Sequence, residues 1–345
     1  MSHRDSSRSA AIRYVAGRTG QAALVLWAAF TITFVMLQAL PGDSIMIKFE
    51  NPELGLSPQQ ILEIRARYGV DQPAVIQYLH TLLGFLGGDF GYSIETGTPV
   101  IERLAEGLPE TLKLATGGFI LAVLLAVLIA FTASYTRFSW LRGVLLAVPS
   151  LFISIPTFWL GILLVQVFSF QLRLVPVIGG TEIQSLILPI LTLAIPISAP
   201  LAQVLCRSLD SVYTQPFVAV AQAKGASRQW ILWRHVSRNA LVPTLTIAGL
   251  VFGELIAGSV VTETVFGRNG IGRLTERAVA SQDVPVIQAV VVLAALVFVA
   301  VNLVVDLLYP VLDPRLTPKR AARARVAVAP GAAEVSTESK DSVLA

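Results

Sequence analysis

Apolar residues along this chain gather into long runs, with most of the charge confined to the connectors between them. A helix needs about 20 predominantly apolar residues to cross the hydrocarbon core of a bilayer. Runs of that order cover Gly20–Leu40, Leu112–Ala133, Leu141–Phe170, Leu186–Leu205, Leu241–Phe266 and Pro285–Leu308. Pro149 and Pro156 interrupt the third run, and Pro189, Pro196 and Pro200 lie inside the fourth. The pattern predicts an all-α polytopic membrane protein with six transmembrane helices. It divides the chain into an N-terminal segment 1–19, a first spanning helix 20–40 and a connector 41–110. A spanning core 111–316 follows, with a polar loop 208–242 inside it, and then a tail 317–345.

Composition agrees: apolar residues make up 54% of the chain and charged residues 14%. Soluble domains carry about a quarter charged residues. The charges are also sorted by connector, and basic residues favour the cytoplasmic side. Residues 1–19 hold Arg4, Arg8, Arg13 and Arg18 against Asp5, and the connector after the second run holds Arg137 and Arg142. The loop from Arg207 to Arg238 carries only Asp210 against its bases, and Arg315, Lys319, Arg320, Arg323 and Arg325 follow the last run. Residues 41–110 are the opposite, with 4 basic and 10 acidic side chains. Both termini are therefore expected in the cytoplasm. The first run is longer than the apolar region of a cleaved signal peptide and lacks a clear small-x-small site, so it is read as retained.

The external connector contains helix signals of its own. Ser57, Pro58 and Gln60 form a capping-box start for "LSPQQILEIRARYGV". "DQPAVIQYLHTLLGFLGG" reads as a second helix lying on the membrane surface, and Thr98 and Pro99 as the start of a short third. A connector so organised suits a platform for an extracytoplasmic partner better than a plain link.

Enzyme chemistry finds no footing. None of the five lysines stands in a Gly-Lys-Ser/Thr phosphate loop, and His3, His80 and His235 are scattered. There is no His-Glu-x-x-His helix and no Gly-x-Ser-x-Gly turn. The single cysteine, Cys206, excludes an intrachain disulfide and a cysteine metal cluster, and reads as a space-filler. The expectation is a chain without metal, without a cofactor of its own and without nucleic-acid contacts.

Polar residues inside the runs are few. Ser150, Ser154 and Thr157 recur at i, i+4 and i+7, and Gln203 shares a helical face with Thr192. The glycines Gly249 and Gly253 suit close helix packing. Glu254 lies about half-way along its run, where a carboxylate is costly and usually faces water or a partner. Ser150, Ser154, Thr157, Gln203 and Glu254 are thus candidates for a translocation path. Glu263 is placed at the external end, where exposure is cheap.

The loop reads "FVAVAQAKGASRQWILWRHVSRNALVP" from Phe217 to Pro243. A short helix begins after Gln215, and Gly225 can end it in the left-handed conformation. Ser227 can cap a second helix whose Trp230, Ile231 and Trp233 sit at headgroup level, with Pro243 marking the next span. The prediction is a helix–glycine–helix elbow on the cytoplasmic side.

This stretch resembles the cytoplasmic loop of permease subunits in ATP-binding-cassette importers of the dipeptide, oligopeptide and nickel class. The wider importer motif has Glu-Ala-Ala before the glycine; here Ala219, Val220 and Ala221 precede Gly225 and the glutamate is absent. Further similar stretches are "LPGD" at Leu40–Asp43, Tyr68–Ser93, "SIPTFWLG" at Ser154–Gly161, "ETVFGRNGIGRL" at Glu263–Leu274 and Val301–Leu316. The resemblance implies a type I importer permease in the bacterial plasma membrane, paired with a second, homologous permease. It implies two cytoplasmic ATPase subunits carrying ATP and Mg²⁺, and an extracytoplasmic substrate-binding protein. The elbow residues it places on the ATPase are Phe217, Ala219, Val220, Ala221, Ala223, Lys224, Gly225, Ala226, Ser227 and Arg228. Peptides are the implied cargo, with nickel chelates, opines, glutathione or haem as alternatives. A secondary transporter would instead show internal repeats and more ionisable residues at mid-depth.

Overall fold

The computed structural model of this chain describes residues 2–38, 57–68, 72–176 and 179–312. The Leu40–Asp43 motif, the first part of the connector and the 317–345 tail lie outside the described residues. In order, the helices are α1 (Ser2–Gln38), α2 (Pro58–Tyr68), α3 (Ala74–Gly87), α4 (Val100–Tyr135), α5 (Ser139–Ser154) and α6 (Thr157–Leu164). There follow α7 (Glu182–Tyr213), α8 (Pro216–Ala223), α9 (Arg228–Ile231), α10 (Ser237–Val265), α11 (Ile271–Ala280) and α12 (Val284–Leu312). Among the described residues, five helices are long and apolar enough to cross a membrane, and the α5–α6 pair makes a sixth span if counted as one.

The centre is the α4–α7 pair. Small residues let the two helices approach: a side chain at Gly117 would meet Ile190, and one at Gly118 would meet Leu193. Below them Ala122, Ala126 and Ala130 of α4 are buried, as are Ala194, Leu201, Ala202 and Leu205 of α7. α10 closes the third side with Leu255 and Val251. Its Gly253 sits where an added Cβ would come 2.7 Å from the Phe298 ring of α12, the close packing expected of that glycine. α12 in turn carries α1, and Gln288 donates to the Phe30 carbonyl (3.0 Å). Cys206 is buried in the α7 core beside Leu205 and Leu209.

Prolines inside α7 leave carbonyls without their helical partners. Pro189 releases the Ser185 carbonyl, which lies 3.5 Å from Arg268 Nη1 in the α10–α11 turn. The hydroxyls of Thr192 and Ser198 donate back to the carbonyls of Leu188 and Ile195.

Two boundaries differ from the sequence reading, and of the two prolines it marked in the third run only Pro156 breaks the helix. The expected short helix after Pro99 is not separate: α4 begins at Val100 and runs through Pro109, so the 110/111 boundary falls inside it. Val100 and Leu104 are buried against Ile271, Ala278 and Val286, and that packing outweighs one lost hydrogen bond. The third span is broken at Ile155–Pro156, with α5 and the helical segment Thr157–Gln171 bent by 101°. Pro156 caps the second piece and cannot continue the first. Pro243 marks no boundary; it lies inside α10.

Within the connector, the capping box at Ser57 forms as expected. The Gln60 amide accepts from Ser57 N–H at 2.8 Å, and Ser57 Oγ accepts from Gln60 N–H at 3.3 Å. α3 packs on α1, with Tyr78 against Phe30 and Phe34 and its hydroxyl 2.8 Å from Thr31 Oγ1. The loop after α3 is pinned by Asp283, which is 1% exposed and accepts from Ser93 Oγ (2.5 Å) and the Ile94 and Glu95 N–H groups (both 3.1 Å).

Candidate functional site

The elbow between α7 and α10 forms as the local chemistry dictates. Pro216 opens α8 at its first turn, where a missing N–H is harmless. Gly225 closes it with φ of 83°. Its N–H donates to the Gln222 carbonyl (2.9 Å), and the Ala226 N–H donates back to Ala221 (3.1 Å). This is a Schellman closure, which requires a residue free to turn left-handed. Two residues on, Ser227 caps α9, its Oγ accepting from the Trp230 N–H at 3.3 Å. α9 then passes through a wide turn, Leu232–Val236, into α10.

The root of the elbow is buried. Val218, Ile231, Leu232, Val236 and Ala240 pack with Ala130 of α4 and Leu205, Cys206 and Leu209 of α7. Trp233 stacks on Phe131 with ring centroids 4.8 Å apart. The tip is open: Ala219, Val220, Ala223, Lys224 and Gly225 are exposed, and nothing lies within 4 Å of a Cβ added at Gly225. Between root and tip lies a cleft of about 1190 Å³ with Phe217, Val220, Lys224, Trp230 and His235 in its lining. The His235 ring meets the edge of Trp230 at 4.9 Å.

One expectation changes here, and one residue is engaged in a way not anticipated. Ile231 is fully buried rather than at headgroup level, although Trp230 and Trp233 are 51% and 65% exposed. Arg228 turns inward, with Nη2 donating to the Ser134 carbonyl at 2.7 Å and its guanidinium 6.0 Å from the Tyr213 ring. Arg228 nonetheless remains an exposed residue, as does Lys224.

The path candidates fall on four helices. Ser150 and Ser154 are exposed on α5, away from the face where Val148 and Phe152 pack inward. Thr157 belongs to α6, beyond the bend, so the three do not form one helical face. Gln203 is half-buried on α7, and Glu254 is exposed on α10.

At the opposite end from the elbow, Glu263 is 1% exposed, contrary to the expectation that it would be open to water. It accepts from Thr111 Oγ1 (2.6 Å) and the Arg273 N–H (3.0 Å). A Cβ at Gly270 would stand 2.3 Å from its Oε1, and one at Gly272 would stand 2.5 Å from Val260 Cα. The "GRNGIG" turn is glycine-rich because it wraps a carboxylate. Beside it Arg268 pairs with Glu110, and Lys113 bridges Glu110 (3.1 Å) and Glu182 (2.5 Å). Nothing in the local sequence announces these partners.

Residues 108–318 match the family described as binding-protein-dependent transport system inner membrane component, and residues 11–115 match its N-terminal counterpart. The chain is 39% identical over 290 residues to the glutathione transport system permease protein GsiC of Salmonella typhimurium (strain LT2), covering 84% of this chain and 93% of the relative. A putative peptide transport system permease protein of Brucella abortus (strain 2308) is 36% identical over 308 residues, covering 87% and 97%. In solved structures, a chain of the inward-facing MetNI methionine ABC transporter superposes with a TM-score of 0.52 at 18% identity. That match covers 61% of this chain and 96% of the other, and it shows a shared fold.

Proposed function

This chain belongs to the family of binding-protein-dependent transport system inner membrane components, and we propose that it forms half of a translocation path for short peptides. It is the permease subunit of an ATP-binding-cassette importer in the bacterial inner membrane, a transport subunit rather than an enzyme. In our reading a second, homologous permease supplies the other half of the path, and an extracytoplasmic binding protein delivers the cargo. Two cytoplasmic ATPase subunits hold ATP and Mg²⁺ and grip one permease elbow each. Peptide cargo is favoured because relatives are named for glutathione, itself a tripeptide, and for peptides.

The observation that carries this reading is the build of the elbow, an exposed tip on a buried root. A lever must present a surface to what pushes it and must not bend at its base. The Schellman closure fixes the tip, while Val218, Ile231 and Val236 tie the base to α4 and α7. Displacement of α8 by an ATPase would therefore be passed to two spanning helices at once.

Gly225→Trp tests this. A side chain at positive φ costs about 1 kcal/mol or more in backbone strain, small against a stability of about 5–15 kcal/mol. Nothing lies within 4 Å of a Cβ added there, and the tip is exposed, so the ring has room to point outward. Insertion, abundance and pairing with the second permease should persist, while uptake falls and loaded binding protein ceases to stimulate ATP hydrolysis. Equal stimulation in wild-type and variant complexes of matched subunit content would reduce the elbow to a topological anchor.

A further inference from the structure

Glu254 is the one acid or base at mid-depth among the described spans. Residues 20–38 of α1, 114–134 of α4, 143–154 of α5, 157–171 of α6 and its helical continuation, 183–206 of α7 and 284–305 of α12 contain no Asp, Glu, Lys, Arg or His. On α10 the next ionisable neighbours are Arg238 and Glu263. Glu254 stands roughly 16 Å along the helix from Val265 and roughly 26 Å from Ser237, at 1.5 Å per residue.

Its side chain is exposed, with no hydrogen bond or ion pair to any described residue. It lies on an open stripe of α10 with Leu250, Ala257 and Val261. The flanks of that stripe are occupied: Gly253 sits on Phe298 of α12, and Val265 lies 3.3 Å from a Cβ added at Gly161 of α6. Hydrocarbon is a poor environment for an ionised carboxylate, so the stripe belongs against water or a polar neighbour. Among the described residues no cation lies at that depth to complete the pair.

Resting on the peptide-import reading, we infer that Glu254 is a specificity-determining residue that binds a primary ammonium group of the cargo as it passes. Short peptides carry such a group at the N-terminus and on lysine side chains. A carboxylate accepts charge-assisted hydrogen bonds from ammonium and repels a second carboxylate. The path should therefore favour cationic and zwitterionic peptides over acidic ones, glutathione with its two carboxylates included.

The test is ATP-dependent uptake by cells carrying the intact importer, wild type or Glu254→Gln, with Ala-Lys-Ala, Ala-Glu-Ala and glutathione as probes. The binding protein is the same in both strains, so its own preferences cancel in the variant-to-wild-type ratio. Loss of one charge-assisted contact should lower uptake of Ala-Lys-Ala by about tenfold. Ala-Glu-Ala and glutathione each keep one ammonium but carry a second carboxylate that Glu254 repels. The two effects offset, so their uptake should change far less than that of Ala-Lys-Ala, while Glu254→Asp should retain most Ala-Lys-Ala uptake. Equal uptake of all three by Glu254→Gln would overturn the inference and leave peptide import standing. An equal loss of all three with less permease in the membrane would overturn it too, placing Glu254 against the second permease. If wild-type cells import none of the probes, the peptide reading fails, and the ammonium site falls with it.

Discussion

A methyl group at position 270 would stand 2.3 Å from Glu263 Oε1, and the carboxylate has nowhere to retreat because it is 1% exposed and hydrogen-bonded. Gly270→Ala should therefore destabilise the purified chain by about 2 kcal/mol, within the range for overpacked interiors. Gly143→Ala is the control: nothing lies within 4 Å of its added Cβ, so its midpoint should hold or rise slightly. Thermal unfolding in detergent reads both, and equal midpoints would refute the idea that the turn is shaped around Glu263. Residue-level features that depend on near neighbours were legible in the sequence: the left-handed Gly225, the Ser227 cap and the Ser57–Gln60 box. Those that depend on distant partners were not. Asp283 meets Ser93 across 190 positions and Glu263 meets Thr111 across 152, so nothing local to either acid signals its burial.

The elbow is a separable element in its mechanics, although not in its packing. Ile231→Ala removes a fully buried side chain from its root and leaves the exposed tip unchanged. Large-to-small changes at such sites cost about 2–5 kcal/mol. The expected result is faster tryptic cleavage at Lys224 and Arg228 in membranes, with uptake reduced despite an intact docking surface. Cleavage at the wild-type rate would mean the root contributes no stiffness. Apolar runs located each candidate span, since membrane thickness leaves that pattern little freedom, but not the polar ends that carry α4 back to Val100 and α7 on to Tyr213. Pro156 was the local signal for the break at Ile155–Pro156; hydrophobicity did not mark it, because the run stays apolar on both sides. Nor could it place the start of α4, where cover from α11 and α12 makes helix of a segment that Pro109 alone would interrupt.

Across the described residues, the elbow and the α4–α5 connector lie at one end and the Asp283 and Glu263 turns at the other, with Arg142 at the start of α5 paired to Asp210 at the elbow end. Both termini are expected to share the elbow's side, by the preference of basic residues for the cytoplasm. A reporter fused after Leu316 should be active only inside the cell and one inserted near Glu95 only outside; an inside signal from the latter would invert the arrangement. Cys206, the chain's only cysteine, lies 5% exposed in the α7 core. Its seclusion makes the native protein a near-blank canvas for thiol-directed probes. Spin labels attached at Ala223 and Glu95, one near each end, could report nanometre distances through a transport cycle with little background from the resident thiol.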